Sequence, residues 1–255
     1  PTMGAIHDGH LSLIEKSIFS CCNTIVSIYL NPLQFAVNED LDNYPQNIEN
    51  DIKILSNYSV QCIFIPSISE IYPQDFSVTI KSGSLANVLE GKSRPSFFSG
   101  VTTIVCKLFN IISPSHAFFG EKDAQQLRII KQLVRDLNFP IQIISCPIIR
   151  EKNGLAMSSR NQYLSIEKQE IASIIFKSLQ LGKKLLINGE RTVNVIKNKI
   201  INNIKLEPLL TIDYVSIADS KTLKEVEFEI EDEILVSVAI FFDKIRLIDN
   251  FTFKI

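Results

Sequence analysis

The stretch PTMGAIHDGH, residues 1–10, decides how the fold of this chain is interpreted. It places His7 and His10 three residues apart where an amphipathic segment begins, so both imidazoles share one face in the first turn of a helix. Gly9 lies between them and lets a ligand approach the backbone closely. Because the N–H groups of a helix N-terminus attract anions, the stretch predicts a site for a phosphate chain at the start of a helix.

Strands and helices alternate downstream of this stretch. The predicted strands, which are β-branched and apolar, are residues 24–30, 61–65, 117–119 and 141–145. Apolar residues at helical spacing lie between them. This order is typical of the α/β class, and it predicts a Rossmann-like, doubly wound parallel sheet with helices on both faces. Ligands bind at the edge where the carboxyl ends of such strands meet.

A loop such as residues 1–10 joins a strand to a helix in this kind of fold. We therefore expect a first strand to precede Pro1, to be missing from this sequence, and to belong to a longer natural protein. Without that strand the sheet loses a central member, so a chain that starts at Pro1 is expected to fold poorly.

The pattern changes after about residue 150. The polar loop 151–160 is followed by two helical stretches, 166–187 and 193–206. Strand-like runs then appear at 212–217, 234–242 and 245–248. Helices followed by strands in succession predict a small α+β domain. We therefore expect a nucleotide-binding domain over residues 1–149 and a C-terminal α+β lid domain over residues 150–255.

Composition excludes several classes of function. The chain has 255 residues, is 45% hydrophobic and carries a net charge of −2, which argues against a nucleic-acid partner. No apolar run approaches the roughly 20 residues that cross a bilayer, so no membrane partner is expected. The five cysteines lie in apolar segments without metal-ligand spacing. They predict reduced, buried thiols in a cytoplasmic protein.

Four motifs fall near predicted strand ends or in loops, where function concentrates. They are residues 7–10, 31–35 (NPLQF), 119–126 (FGEKDAQQ) and 154–161 (GLAMSSRN). Each has a plainer interpretation: paired histidines at a surface, a turn after a strand, a helix cap at Asp123, or a solvated loop. The isolated His116 is interpreted as structural. A functional site is favoured because three of the motifs are expected to lie at the same edge of the sheet. The fourth lies on a segment that can fold over that edge.

The residue types in these motifs predict two kinds of binding. A triphosphate needs cations and N–H donors, which are offered by His7, His10, Lys122, Arg160 and two serine hydroxyls. The neutral amides of Asn31, Gln34 and Gln126 suit a small hydroxylated acid. Neither a nucleophile–base pair nor a Walker-type loop is visible, so the site is predicted to act by positioning and charge stabilisation.

Five motifs in order, PTMGAIHDGH, NPLQF, RPSFFSGV, FGEKDAQQL and GLAMSSRNQYLS, resemble the pantoate–β-alanine ligase family of the HxGH nucleotidyltransferase superfamily. The resemblance is specific over residues 1–165 and weaker beyond. It implies ATP-dependent condensation of pantoate with β-alanine to pantothenate through a pantoyl adenylate, with AMP and pyrophosphate as further products. It also implies Mg²⁺ used with ATP and a cytoplasmic homodimer.

The resemblance implies roles for individual residues. The catalytic residues would be His10, of acid type, with His7 and Lys122. The ATP-binding residues would be Met3, Gly4, Ala5, Ile6, His7, Asp8, Gly9, His10, Gly120, Glu121, Lys122, Asp123, Ile149, Met157, Ser158, Ser159 and Arg160. Pantoate and β-alanine would be bound by Gln34, Gln126 and Asn31. No protein ligand to magnesium is assigned.

One position departs from the family pattern. The family has histidine in RPxHF, and this chain has Phe97 there. If that histidine contributes a hydrogen bond, this chain lacks it, and lower activity is expected.

Three other hypotheses remain open at this stage. A simple nucleotidyltransferase would move a nucleotide to a phosphorylated acceptor, but the neutral amides recognise a second phosphate poorly. A metal site formed by His7, His10 and His116 would leave the ATP-type motifs unexplained. Phe97 and the shortened N-terminal region also fit a degenerate nucleotide binder without catalytic activity.

Overall fold

The computed structural model describes residues 1–36 and 39–255, which form two compact units, Pro1–Pro147 and Ile148–Ile255. The division lies close to the predicted boundary between residues 149 and 150. Each unit has a hydrophobic core of its own: one is centred on residues such as Ile104 and Ile130, the other on residues such as Ile200 and Val236.

The first unit alternates helices with short strands. In chain order its elements are α1 (Asp8–Ser20), β1 (Ile25–Ser27), α2 (Ile48–Leu55), β2 (Cys62–Phe64), α3 (Ile68–Ile71), α4 (Glu90–Ser93), α5 (Phe97–Ile112), β3 (His116–Gly120), α6 (Ala124–Asp136) and β4 (Gln142–Cys146). Short 3₁₀ helices precede α2, α4 and α6 at Pro32–Gln34, Gly83–Ala86 and Glu121–Asp123. The predicted α/β class and order of elements are confirmed.

The strands of this unit pair in parallel. β1 pairs with β2 with Val26 opposite Ile63, and β3 pairs with β4 with Phe118 opposite Ile144. Among the described residues these are two separate two-stranded sheets, and one cavity is lined by residues of both β1 and β3. Thr2 forms a parallel bridge to Ile28 just beyond β1, so the stretch 1–10 starts at the carboxyl end of that strand.

Helix α5 supplies the main surface on which the first unit packs. Its apolar stripe, which includes Val101, Val105 and Leu108, is buried in the core. Gly100 allows the loop after β1 to approach, since a Cβ there would lie 2.2 Å from the carbonyl oxygen of Leu33. The close packing at Gly100 therefore fixes the distance between the 3₁₀ turn Pro32–Gln34 and α5.

The second unit has the predicted α+β composition. Its helices are α7 (Ile166–Ala172), α8 (Ile174–Ile187) and α9 (Val193–Ile204), and its strands are β5 (Leu210–Asp219), β6 (Ile234–Phe242) and β7 (Ile245–Phe253). The strands form an antiparallel sheet in the order β5-β6-β7. The stretch predicted as one helix over 166–187 is interrupted at Ser173, a fully buried residue whose hydroxyl donates to the carbonyl oxygen of Glu170 at 2.6 Å.

Two sequence expectations are tested by the burial of the described residues. All five cysteines are free, as predicted, and Cys146 is buried. The prediction of buried thiols is wrong for Cys22, which follows the end of α1, and for Cys62, which opens the edge strand β2; both are exposed. In the described part of the chain no helix is both long and apolar enough to span a membrane.

Candidate active site

The two histidines of the opening stretch cap helix α1. His7 is the N-cap residue, with extended backbone angles, and its Nδ1 accepts the N–H of Gly9 at 3.1 Å. The Nδ1 of His10 accepts the N–H of His7 at 3.4 Å. The ring centroids are 4.1 Å apart, which confirms that both imidazoles share one face. The sequence spacing thus produces a reciprocal cap of the type usually formed by Ser and Glu.

Burial determines the charge of this pair. It lowers the pKa of His7 to about 4, with a further contribution from the positive charge of Lys122. Burial likewise lowers the pKa of His10 to about 3, with a further contribution from His7. Both rings are therefore neutral near pH 7. Because each Nδ1 accepts a backbone N–H, we assign the ring proton to Nε2. Of the cations and N–H donors predicted for a triphosphate site, the pair therefore offers neutral N–H donors.

The loop that leads into α1 has a left-handed backbone. Gly4 has φ +95° and Ala5 has φ +51°. The carboxylate of Asp51, on α2, accepts the N–H groups of Ala5 and Ile6. Sequence reasoning missed Asp51, although one signal was present. An acid one turn before the buried Leu55 lies on the buried face of its helix.

A hydrogen-bonded group of amides follows β1. Asn31 is 1% exposed, and its Nδ2 donates to Gln34 Oε1 and to the Gly100 carbonyl oxygen, both at 3.1 Å. Its Oδ1 accepts the hydroxyl of Tyr72 at 2.8 Å. The Nε2 of Gln34 lies 3.0 Å from the sulfur of Met3. These contacts bring Gln34 next to the loop that precedes α1, with Asn31 behind it.

The third motif connects β3 to α6. Strand β3 ends at Gly120, the turn Glu121–Asp123 follows, and Gln126 lies in the first turn of α6. Lys122 lowers the pKa values of both His7 and His10, so its ammonium group lies near the histidine pair. The Lys122 Nζ is also 3.8 Å from an Asp123 carboxylate oxygen. Asp123 occupies the N-cap position of α6 without a side-chain cap hydrogen bond, so the capping role considered for it is not formed.

Two further polar residues were not found by sequence reasoning. Arg94 pairs with Glu39, donates to the carbonyl oxygen of Gln34 at 3.2 Å, and places its guanidinium 3.7 Å from the centre of the Phe97 ring. The ring at the position where the family has histidine is therefore covered by Arg94. Gln125 is buried and makes three hydrogen bonds to backbone groups between residues 85 and 90. Arg94 thus holds the backbone of the predicted site residue Gln34, and Gln125 holds the segment before α4.

The fourth motif lies in the second unit, on a hairpin-like loop. The N–H of Met157 donates to the carbonyl oxygen of Ile149 at 2.9 Å, so these two predicted ATP-binding residues are neighbours. Ser158 caps the 3₁₀ helix Ser159–Tyr163, its hydroxyl accepting the N–H of Arg160 at 3.3 Å. The loop is held by Arg150, which forms a two-pronged ion pair with the buried Asp249.

The described residues give no support to a metal site made by the protein alone. Within residues 1–36 and 39–255, no three His, Cys, Asp or Glu side chains come together in a group that could hold a metal ion. His116, the third member of the proposed histidine site, lies 3.0 Å from the hydroxyl of Ser115 at the start of β3.

Comparison with known proteins gives one consistent result. The family model described as pantoate-beta-alanine ligase matches residues 1–252. The chain is 51% identical to a pantothenate synthetase of Clostridium acetobutylicum over 255 residues, covering all of this chain and 90% of that protein. It is 47% identical to a pantothenate synthetase of Thermotoga neapolitana over 250 residues, or 98% of this chain and 89% of that protein.

Solved structures agree with the sequence relatives. A crystal structure of pantothenate synthetase from Thermus thermophilus superposes with a TM-score of 0.95 at 36% identity, covering 98% of this chain and 91% of that one. A pantoate-beta-alanine ligase from Francisella tularensis, complexed with beta-gamma ATP and beta-alanine, gives a TM-score of 0.79 at 37% identity, with 98% and 87% coverage.

Proposed function

The chain belongs to the pantoate–beta-alanine ligase family, and from this membership we propose that it joins pantoate to β-alanine in two ATP-dependent steps. In the first step a pantoate carboxylate oxygen attacks the α-phosphorus of ATP. The bond from that phosphorus to the bridging oxygen breaks, and pyrophosphate leaves. In the second step the amine of β-alanine attacks the acyl carbon, AMP leaves, and the nitrogen loses a proton.

The observation that carries the proposal is the contact between Gln34 and Met3. It joins a group of neutral amides, suited to a hydroxylated acid, to the loop and helix N-terminus suited to a phosphate chain. Attack of a carboxylate on a phosphate requires these two kinds of binding side by side. The F. tularensis ligase is described with a nucleotide and β-alanine bound, which supports nucleotide use by this chain.

The first step needs charge stabilisation more than proton transfer, since a carboxylate attacks without losing a proton. Lys122 would stabilise the charge that develops on the α-phosphate, with His7 and His10 donating neutral Nε2–H groups to phosphate oxygens. The lowered pKa of His10, at about 3, favours this donor role over the acid role that the family resemblance implies. Gln34 and Gln126 would hold the pantoate, and Asn31 would orient Gln34.

The second step needs protection of the intermediate. An acyl adenylate is readily hydrolysed, so the site must exclude water until the amine attacks. We propose that the segment Met157–Arg160 of the C-terminal unit serves this exclusion of water. The remaining predicted ATP contacts, Ile149 among them, stay predictions.

Magnesium would enter with the nucleotide. Mg²⁺ keeps several waters and is bound through one or two carboxylates together with substrate phosphates, which fits a chain whose described residues contain no three-ligand group. The bound ion would neutralise phosphate charge.

Exchange of labelled pyrophosphate into ATP tests the proposed steps separately. Reversible adenylation predicts exchange that requires pantoate but not β-alanine, and AMP release that requires all three substrates. Exchange without pantoate, or a stable nucleotidylated product with a phosphorylated acceptor, would support a nucleotidyltransferase instead. Turnover comparable to other ligases of the family would exclude a degenerate binder, for which Phe97 is the main argument.

We also propose that the enzyme works as a homodimer in the cytoplasm, as the family resemblance implies. The five free cysteines support a reducing compartment. Light scattering coupled to size-exclusion chromatography measures the mass in solution. A mass near 28.8 kDa would mean a monomer and would contradict the dimer.

A further inference from the structure

A buried carboxylate holds the loop that leads into α1. Asp51 lies in the first turn of α2 and is 1% exposed. Its Oδ2 accepts the N–H of Ala5 at 2.9 Å, and its Oδ1 accepts the N–H of Ile6 at 2.8 Å. Among the described residues both hydrogen-bond partners are backbone groups, so the loop itself satisfies the charge of Asp51.

The loop conformation depends on this anchor. Ala5 has φ +51°, in the left-handed region that residues with a Cβ enter at a cost. Gly4, with φ +95°, has no side chain, and a Cβ there would lie 3.0 Å from Asp51 Oδ2. The carboxylate thus occupies the space next to Gly4, and its two charge-assisted hydrogen bonds stabilise Ala5 in its unfavourable conformation.

This loop connects both halves of the proposed site. On one side of Ala5, Met3 contacts Gln34. On the other side, His7 caps α1 and pairs with His10. A change in the backbone angles of Ala5 would therefore change the placement of the imidazoles relative to the amide of Gln34.

We propose that Asp51 is a positioning residue for the nucleotide: it sets the backbone of residues 3–7 and, through it, the placement of the His7 and His10 Nε2–H groups. This inference rests on the proposed function, because it assumes that the loop binds ATP. The charge of Asp51 has the wrong sign for attracting a triphosphate. Removing that charge would strengthen ATP binding if electrostatics alone mattered, and would weaken it if the loop conformation matters.

The test compares Asp51→Asn with Glu49→Gln in the full chain. Both variants remove one negative charge from the first turn of α2, but Glu49 is exposed. In Asp51→Asn an NH₂ group would face one of the two loop N–H groups, so at least one hydrogen bond is lost. We expect binding of α,β-methylene ATP, measured by calorimetry, to weaken by roughly tenfold or more in Asp51→Asn, the size expected for a charged hydrogen bond. Glu49→Gln should bind the analogue at least as tightly as the wild type.

A spectroscopic readout accompanies the binding measurement. The amide protons of Ala5 and Ile6, which point at a carboxylate, should shift upfield in Asp51→Asn and stay in place in Glu49→Gln. If Asp51→Asn does not fold, Gly4→Ala replaces it, because the added methyl would point at Asp51 and Ile28 inside the protein. The same amide shifts and the same loss of analogue binding are expected there.

Several outcomes would overturn the inference. If folded Asp51→Asn binds the analogue as tightly as the wild type or more tightly, Asp51 does not position the nucleotide and affects binding only through its charge. If the variant melts at a lower temperature but keeps its affinity, Asp51 has only a structural role. If the wild type makes pantothenate and the variant binds the analogue normally, the inference alone fails. If the wild type makes no pantothenate while the variant loses analogue binding, the proposed function fails and the role of Asp51 stands.

Discussion

The Nδ1 of His10 accepts the backbone N–H of His7, and the two rings lie 4.1 Å apart. His10, in the first turn of α1, thereby holds His7, the residue that caps the same helix. This arrangement uses both Nδ1 atoms internally and leaves both Nε2–H groups as donors. The pair therefore acts as one unit, and removal of either ring disturbs the other.

His10→Ala should lower the rate of pantoate-dependent pyrophosphate exchange by about 10²–10³, the usual cost of losing one donor to a developing charge. The fold should persist, since loss of a capping contact costs about 0.5–2 kcal/mol of stability. His116→Ala removes a histidine outside the proposed site and should leave the exchange rate unchanged. An unaltered rate in His10→Ala would remove His10 from the mechanism.

The stability of the folded chain should fall in mild acid. Burial lowers the pKa values of His7 and His10 from the ordinary 6.5 to about 4 and about 3. As the pH falls, the histidines of the unfolded chain are therefore protonated before those of the folded chain. The free energy of unfolding keeps its full value above about pH 7 and declines as the pH falls from 6.5 towards 4. Urea unfolding at pH 8, 7, 6 and 5 measures this decline. In a His7→Asn/His10→Asn double variant the free energy of unfolding should decline less steeply with falling pH. Equal slopes in the variant and the wild type would contradict the assignment of both histidines as neutral.

Lys122→Ala should reduce adenylation by about 10²–10³ while melting like the wild type, because the ammonium group is assigned to charge that develops during the reaction. Single-turnover formation of the adenylate measures the step directly. Lys131→Ala, which removes an exposed lysine from α6, is the matched control. Normal adenylate formation in Lys122→Ala would show that another group carries the charge.

Gln34→Ala and Gln126→Ala should raise the KM for pantoate, since each removes an amide assigned to the acid. The affinity for the ATP analogue should change much less. Gln132→Ala, on the outward part of α6, serves as the control. A large loss of nucleotide affinity with an unchanged pantoate KM would reverse the assignment of the two amides.

The alternation of secondary structure could be predicted because short apolar runs and helical spacing are local features of the sequence. The parallel pairs and the C-terminal antiparallel sheet followed from them. The interruption at Ser173 did not, since it comes from a buried hydroxyl that bonds to the preceding turn. Cys22 and Cys62 were misjudged because apolar neighbours in sequence do not bury a residue at the end of a helix or on an edge strand.

For the candidate site, the sequence could predict which types of residue take part, but not their charge states or their contacts. The spacing of His7 and His10 indicated a shared face, but their neutral state depends on burial, which no spacing contains. The structure shows both ends of the Asn31 amide bonded within the protein, which spacing could not indicate, and the role of Asn31 in binding substrate stays a prediction. Asp51 acts on a loop 45 residues earlier in the chain; its spacing from Leu55 indicates that it is buried, but not which loop it holds.

The contact between Gln34 and Met3 would link the proposed pantoate and nucleotide sites thermodynamically. An acid that draws the amide of Gln34 towards itself changes the surroundings of Met3, and a nucleotide that moves Met3 changes the position of that amide. Linkage then requires that pantoate alter the affinity for ATP by the same factor by which ATP alters the affinity for pantoate. Binding constants measured in either order therefore form a closed cycle. The order in which the substrates enter is set by their rates of association.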